Sequence, residues 1–171
     1  NLVAELLSVI DFCNKAVKDF ADTSGGFYLY SEDGEKLILR PKETYDGAIP
    51  SANSIMAYNL VRLSVLTGDG KFTELAESQL NFIASDASEY PAGHGMYLTA
   101  LSEYYEPPMK ITVVGGGTDS TDLSDLLPKD AIIIYLSEPT EEYPLKNGKT
   151  TYYVCKKHSC MPPVNDLSEL K

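Results

Sequence analysis

The sequence has 171 residues, of which 43% are apolar and 23% charged, as is typical of a globular protein with one domain or one domain and a small appendage. Its 25 acidic and 14 basic residues give a net charge of -11, which argues against nucleic acid and anionic membranes as partners. No segment approaches the roughly twenty continuous apolar residues that span a bilayer, and the first residues lack a signal-peptide pattern. We therefore expect a soluble, cytoplasmic chain.

The first predicted element is an amphipathic helix. Its apolar residues recur at spacings of three or four with polar residues between them, which indicates a helix with one face in water. These apolar residues are Leu2, Leu6, Ile10, Cys13, Val17 and Phe20. We expect Cys13, on the apolar face, to be a buried free thiol. The sequence opens inside this pattern without an initiator methionine, and we expect both ends to be cut from a longer protein.

A β-hairpin is predicted next. Residues 27–30 and 36–40 contain aromatic and β-branched side chains and flank the pair Asp33 and Gly34. An Asp-Gly pair between two such runs favours a hairpin turn. The hairpin would interrupt an otherwise helical chain.

Three more helices follow the hairpin. Ser51 is predicted to cap the second helix and Gly68 to end it, and the apolar residues between them indicate a helix buried on most sides. The third helix, over residues 71–87, has a one-sided apolar stripe, and the fourth is predicted to begin at Pro91 and to end before the prolines at 107–108. Outer and inner helices would thus alternate, as in a concentric helical toroid.

The pattern changes at residue 109. Residues 111–114, 131–136 and 151–154 are short apolar or β-branched runs that predict strands, and residues 119–127 suit a short helix. Together they predict a small α/β appendage.

Several short sequence motifs, taken in their order along the chain, resemble those of one protein family. They are GGFY at 25–28, LRPK at 39–42, YDGAIPSANS at 45–54, NLVRL at 59–63 and LTGD at 66–69, followed by YVC at 153–155 and CMPP at 160–163. The chain resembles the spermatogenesis-associated thioredoxin-domain family and its bacterial relatives. Full members of that family carry a thioredoxin-like domain and then an (α/α)6 toroid, which is related to the N-acylglucosamine 2-epimerases and six-hairpin glycosidases. The resemblance places this chain at the carboxy terminus of such a protein.

The resemblance, together with the helix pattern, implies a mainly α fold. We expect residues 1–108 to be the last helices of an incomplete (α/α) toroid with a β-hairpin, and residues 109–171 to be the small α/β appendage. The expected partners are the rest of the parent polypeptide, namely the thioredoxin-like domain and the missing toroid helices. A carbohydrate is a possible ligand by the same resemblance, although a shared fold does not fix a reaction.

The candidate site is the connection that leads into the second helix, residues 40–53. Loops that enter inner helices of a toroid collect at one mouth, where polar side chains would meet a ligand. The candidate ligand-binding residues are Asp46, Asn53, Tyr45, Ser51, Arg40, Tyr28 and His94. The alternative is that Ser51 and Asn53 only cap the helix and that Asp46 only forms a turn. The sequence leaves both interpretations open.

The chain lacks a complete catalytic set for either reaction of the related folds. A glycosidase needs two carboxylates, and Asp46 or Glu43 would supply only one of them. An epimerase needs general bases, usually histidines, and the chain has only His94, which we expect to be exposed, and His158. We therefore expect a fragment of a glycosidase- or epimerase-like toroid, with carbohydrate as a possible ligand and no turnover by this chain alone. The alternative function is a non-catalytic scaffold or binding toroid that serves an N-terminal thioredoxin-like domain.

Cys155, His158 and Cys160 form the remaining cluster of reactive side chains. Three zinc ligands could come from it, but structural zinc sites use four. A disulfide between the two cysteines is the second alternative, and two free thiols in a reducing compartment are favoured over both. We expect no metal and no cofactor.

Overall fold

The computed structural model describes residues 2–31, 33–34, 39–115, 127–157, 159–166 and 168, with side chains in the first helix from Glu5 onward. These residues form four α-helices and a four-stranded mixed sheet, so the fold is mixed α/β. Contacts divide the chain into two compact units, Val3–Tyr105 and Glu106–Lys171. Four helices do not by themselves make a toroid, which stays a prediction.

Helix α1 spans Leu2–Phe20 and confirms the predicted amphipathic helix. Cys13 is a buried free thiol within the core of the first unit, as predicted, and its apolar neighbours on the same side pack against that core. The helix also carries large apolar side chains away from this core. Leu7, Val9 and Phe12 are 57%, 52% and 74% exposed.

Helix α2 spans Ala52–Thr67 and begins and ends where the sequence predicts. Ser51 is the N-cap, and Gly68 ends the helix with a left-handed φ of 68°, a conformation that glycine adopts without steric cost. Ala57, Leu60 and Val61 are almost fully buried. Helix α2 packs against both of the helices that follow it.

Helix α3 spans Gly70–Glu89, and helix α4 spans Gly95–Tyr105. The predicted start of α4 at Pro91 is wrong, because Pro91–Gly93 form a separate 3-10 turn. His94 has a non-helical φ of -137°. The carbonyl of Gly93 accepts the backbone N–H of Asp46 at 2.7 Å, a residue remote in sequence, so a tertiary contact interrupts the helical pattern.

The predicted hairpin has no strand among the described residues near 27–30, while residues 35–38 lie outside the described part of the chain. Gly25 and Gly26 have φ values of 95° and 79° and reverse the chain directly after α1. Phe27 therefore forms an isolated bridge with Ala21. Leu29 N, in the first predicted arm, donates to the carbonyl of Pro41, the residue after the second arm, at 3.0 Å.

The second unit contains the sheet, in the order β2-β1-β3-β4. Strand β1 (Lys110–Val114) pairs in parallel with β2 (Ile132–Leu136) and antiparallel with β3 (Thr151–Lys156), which confirms the three predicted strands. A fourth strand, β4 (Ser159–Cys160), was not predicted. The short helix predicted over residues 119–127 falls, except for Leu127, within residues 116–126, which lie outside the described part of the chain.

Buried side chains of β1 and β3 make up the core of the second unit. Ile111, Val113 and Val154 form a small apolar cluster there. No helix in the described part of the chain is long and apolar enough to cross a membrane.

Candidate functional site

Asp46 holds the start of two helices. Its Oδ1 accepts the backbone N–H of Ser51 at 2.9 Å, at the start of α2. Its Oδ2 accepts the N–H groups of Met96 and Tyr97 at 2.8 and 3.2 Å, in the first turn of α4. The first N–H groups of a helix have no partner within the helix, and a carboxylate placed there also interacts favourably with the helix dipole. Both oxygens of Asp46 are thus used within the chain.

The protonation state of Asp46 follows from this geometry. Burial raises its pKa, but hydrogen bonds from Ser51, Ser54, Tyr97 and Met96 to the carboxylate lower it by more. The net pKa of Asp46 lies below the ordinary aspartate value. The group is therefore ionised at neutral pH, which suits a cap and not a general acid.

Ser51 is a buried helix cap. Its Oγ accepts the backbone N–H of Ser54 at 3.1 Å and donates to the carbonyl of Thr44 at 3.1 Å. The hydroxyl groups of Ser51 and Ser54 lie 2.9 Å apart. The capping interpretation of Ser51 is confirmed.

Asn53 is fully buried, and its side-chain amide is saturated. Its Oδ1 accepts the N–H of Phe27 at 2.7 Å and the Nε2 of Gln79 at 2.9 Å. Its Nδ2 donates to the carbonyls of Phe27 and Glu43 at 3.0 and 2.8 Å. An asparagine amide has two donors and about two acceptor positions, so this residue has no group to spare for a ligand.

His94 and Tyr45 belong to an aromatic cluster. The Tyr45 ring stacks on Tyr90 with centroids 6.3 Å apart and meets the edge of His94 at 6.4 Å. The expectation that His94 is exposed is wrong, since only 4% of it is accessible. The 3-10 turn before α4 carries the imidazole inward, where Nδ1 lies 2.9 Å from the carbonyl of Tyr90. Its Nε2 is buried without a partner among the described residues.

Arg40 and Tyr28 lie together in a cationic cluster. The Arg40 guanidinium stacks over the Tyr28 ring at 4.0 Å, and its Nη2 donates to the carbonyl of Tyr30 at 2.8 Å. Lys42 forms an ion pair with Asp22 at 2.6 Å. This ammonium, with further hydrogen bonds, holds the pKa of Asp22 well below its ordinary range.

Only some of the seven candidate residues therefore contact one another. Direct contacts join Asp46 to Ser51, Tyr45 to His94 and Arg40 to Tyr28. Among the described residues, no hydrogen bond connects Asp46 with Asn53, which we expected in one pocket. A role for these side chains in ligand binding stays a prediction.

Two clefts were not anticipated from the sequence. The α3–α4 cleft has a volume of about 570 Å³ and is lined by Glu77, Asn81, Tyr97, Tyr104 and Tyr105, among others. The Tyr104 hydroxyl donates to Glu77 at 2.6 Å, which raises the pKa of Tyr104 to about 12. None of the seven candidate residues is among the residues that line this cleft. The sequence feature that could have indicated this cleft is the group of tyrosines along α4, which face polar residues of α3.

The second cleft, the α1–α2 cleft, is mainly apolar. It has a volume of about 350 Å³, and its lining includes Val9, Phe12, Met56, Leu63 and Leu66. Two of these, Val9 and Phe12, are among the exposed apolar residues of α1. This face of the first unit therefore combines a concave surface with exposed apolar side chains.

In the second unit, Cys155 and Cys160 form a disulfide. The preference for two free thiols is therefore wrong. The two cysteines are direct partners in the antiparallel pair of β3 and β4. Strand β4 was not predicted from the sequence. His158 lies outside the described residues, and no group of three or more potential metal ligands occurs within them.

Comparison with known proteins gives relatives for most of the chain. No family model matches it. Spermatogenesis-associated protein 20 from human and from rat is 29% identical over 174 residues, and the mouse protein is 28% identical. The chain is homologous to spermatogenesis-associated protein 20. The match covers 90% of this chain but only 22% of each relative, so the chain spans less than a quarter of the length of spermatogenesis-associated protein 20.

Proposed function

We propose that this chain is a non-catalytic helical module of a longer polypeptide, of the (α/α) toroid kind, and that it serves as a scaffold or binding platform. The observation that carries the proposal is the use of Asp46. Both of its oxygens accept hydrogen bonds at the starts of α2 and α4. Asp46, one of the two carboxylates considered as catalytic candidates, is thus used to hold helices.

The neighbouring candidates support the same function. Ser51 caps α2, and Asn53 is buried with its amide saturated. A sugar-processing site needs polar groups that face a ligand and a carboxylate of suitable pKa. In the 40–53 connection the side chains of Asp46, Ser51 and Asn53 are hydrogen-bonded to the chain itself.

The apolar surface of α1 supports a role within a larger assembly. Val9 and Phe12 are exposed beside the apolar α1–α2 cleft, and exposed apolar patches of this kind mark sites of protein contact. The homologous proteins are several times longer than this chain, which covers 22% of them. We propose that the occupant of this face is a further helix of the same polypeptide, with the chain at its carboxy terminus and a thioredoxin-like domain elsewhere in it.

The substitution Asp46→Asn tests the proposal in the 171-residue chain. We expect the free energy of unfolding to fall by about 1–3 kcal/mol, because charge-assisted hydrogen bonds to two helix starts are weakened. The measurement is urea unfolding followed by circular dichroism. The matched control is Glu43→Gln, which removes an exposed carboxylate from the same connection and should change stability by less than about 0.5 kcal/mol.

The acid dependence provides a second readout. The folded state lowers the pKa of Asp46, so its contribution to stability is present above the ordinary aspartate pKa and is lost as the pH falls through the lower, folded value. The difference between the wild type and Asp46→Asn should therefore shrink in acid. Unchanged stability of Asp46→Asn together with loss of saccharide binding would refute the scaffold proposal.

A second candidate function, carbohydrate binding, is favoured by the α3–α4 cleft. Aromatic rings that stack on a sugar face and polar groups that bind its hydroxyls are both present there, as in Tyr105 and Asn81. Tyr105 is 72% exposed, so its ring is accessible. Titration of the chain with hexoses and oligosaccharides would detect such a site, and Tyr105→Ala should then abolish binding.

A further inference from the structure

The Cys155–Cys160 disulfide joins two neighbouring positions at the edge of the sheet. Cys155 is paired with Cys160 in the register of β3 and β4, and only five positions separate them in sequence. The stabilisation that a disulfide gives by restricting the unfolded chain grows with the size of the loop it closes. A loop as short as this one therefore gains less stability from its disulfide than a longer loop would.

Other contacts keep the same segment on the sheet. The N–H of Met161 donates to the carbonyl of Val154 at 2.8 Å. Tyr152 and Val164 exchange two backbone hydrogen bonds, of 2.8 and 3.1 Å. Neither sulfur belongs to the apolar core of the second unit. These backbone contacts do not depend on the sulfur–sulfur bond, so they can keep the two cysteines opposite each other in its absence.

The surroundings of the pair favour thiol chemistry. Cys160 is exposed and Cys155 half-buried, so a reagent can reach the bond from solvent. Lys156, the last residue of β3, and Lys157 after it are both exposed, and Lys157 forms an ion pair with Glu106 at 3.2 Å. Positive charge near a sulfur favours the thiolate, which is the reactive form. The thiol of Cys13 is less reactive, because it is buried and burial raises its pKa.

We propose that Cys155 and Cys160 form a reversible redox site that undergoes thiol–disulfide exchange with a dithiol. A thiolate of the dithiol attacks the more exposed Sγ, that of Cys160, and displaces Cys155 as a thiolate, which takes up a proton. The second thiol of the partner then attacks the mixed disulfide and releases Cys160. The chain gains two electrons and two protons, and the partner dithiol becomes a disulfide.

The test is alkylation of the native chain, with dithiothreitol as the dithiol and Cys13 as the internal control. Before reduction we expect no alkylation by maleimide. After reduction without denaturant we expect two additions, mapped by mass spectrometry to Cys155 and Cys160, with Cys13 reacting only in urea. Oxidised dithiothreitol should return the count to zero, and the circular dichroism spectrum should stay the same throughout.

A matched variant tests the order of attack. In Cys155→Ser the remaining thiol, Cys160, should form a stable adduct with glutathione disulfide, whereas Cys160→Ser should react several times more slowly at Cys155. Reduction that requires denaturant would show a purely structural disulfide and overturn the proposal. Alkylation of both cysteines before any reductant, or reoxidation only into cross-linked dimers, would overturn it as well.

Discussion

At the scale of single residues, Asn53 is the most consequential polar side chain of the first unit. Its amide joins the turn after α1, through Phe27, to the 40–53 connection, through Glu43, and to α3, through Gln79. Asn53 itself is 0% exposed. Buried polar groups are nearly always hydrogen-bonded, and here Phe27 and Gln79 use the Asn53 amide as a partner.

We predict that Asn53→Ala destabilises the chain by about 2–5 kcal/mol, because several buried donors and acceptors lose their partner at once. The measurement is denaturant unfolding. Asn59→Ala is the matched control on the same helix, since Asn59 is exposed, and it should cost less than about 0.5 kcal/mol.

A double-mutant cycle with Gln79→Ala separates the amide pair from the backbone contacts. We expect a coupling free energy of about 1 kcal/mol or more, as found for residues in one hydrogen-bond network. Strict additivity of the two changes would contradict the network.

Residue roles were predictable from the sequence where they depend on local chemistry. The cap at Ser51 was among them, because a cap bonds within three residues along the chain. The role of Asp46 was not, since its partners Met96 and Tyr97 are 50 and 51 positions away. The burial of His94 was missed for the same reason, because the contact that ends the 3-10 turn comes from Asp46.

At the scale of elements, the connection between α2 and α3 contains two glycines with different functions. Gly68 has a φ of 68° and ends α2, while Gly70 is the first residue of α3 and has an ordinary backbone conformation. Neither has an atom within 4 Å of the position that a Cβ would occupy. Steric crowding is therefore equal at both sites, and only the backbone conformation differs.

We predict that Gly68→Ala lowers the free energy of unfolding by about 1 kcal/mol, since a left-handed conformation disfavours a side chain. Gly70→Ala should be neutral or stabilise by up to about 1 kcal/mol, because alanine reduces the entropy of the unfolded chain. Thermal unfolding of both variants checks the difference. Equal effects would show that the αL cap does not determine where α2 ends.

The extents of α1, α2 and α3 and the three longer strands followed from hydrophobic periodicity and from capping and turn residues, while the start of α4 and the strand pairing did not. Strand β4 has only two residues, too few for a repeating pattern. It exists because Met161 and Val164 bond back to β3. The second arm of the predicted hairpin lies largely outside the described residues, so the hairpin stays a prediction. In the first arm, the turn at Gly25 and Gly26 pairs Phe27 with Ala21.

At the scale of the whole molecule, the exposed apolar side chains of α1 predict self-association of the isolated chain. Val9 and Phe12 lie beside the α1–α2 cleft, and their burial between two copies removes apolar surface from water. We expect a concentration-dependent dimer in sedimentation experiments. The double substitution Val9→Lys with Phe12→Lys should yield a monomer.

Lysine is chosen for this test because of the charge of the chain. The net charge is -11, so two added lysines reduce the repulsion between copies. A loss of association must then come from the lost apolar surface. Asp11→Lys, an exposed change on the same helix, is the control and should leave the dimer intact. A monomeric wild type at all concentrations would argue against an apolar contact face.

The carboxylate of Asp46 has one more consequence, for hydrogen exchange. This single side chain accepts hydrogen bonds from three backbone amides, those of Ser51, Met96 and Tyr97. None of them can exchange with deuterium while the carboxylate is in place, and one movement of the 40–53 connection exposes all three. The protection factors of these three amides should therefore be nearly equal, although the amides lie at the starts of two different helices. All three protection factors should decrease together as the pH is lowered and Asp46 becomes protonated. The entry of α2 and the entry of α4 thus open as one cooperative event.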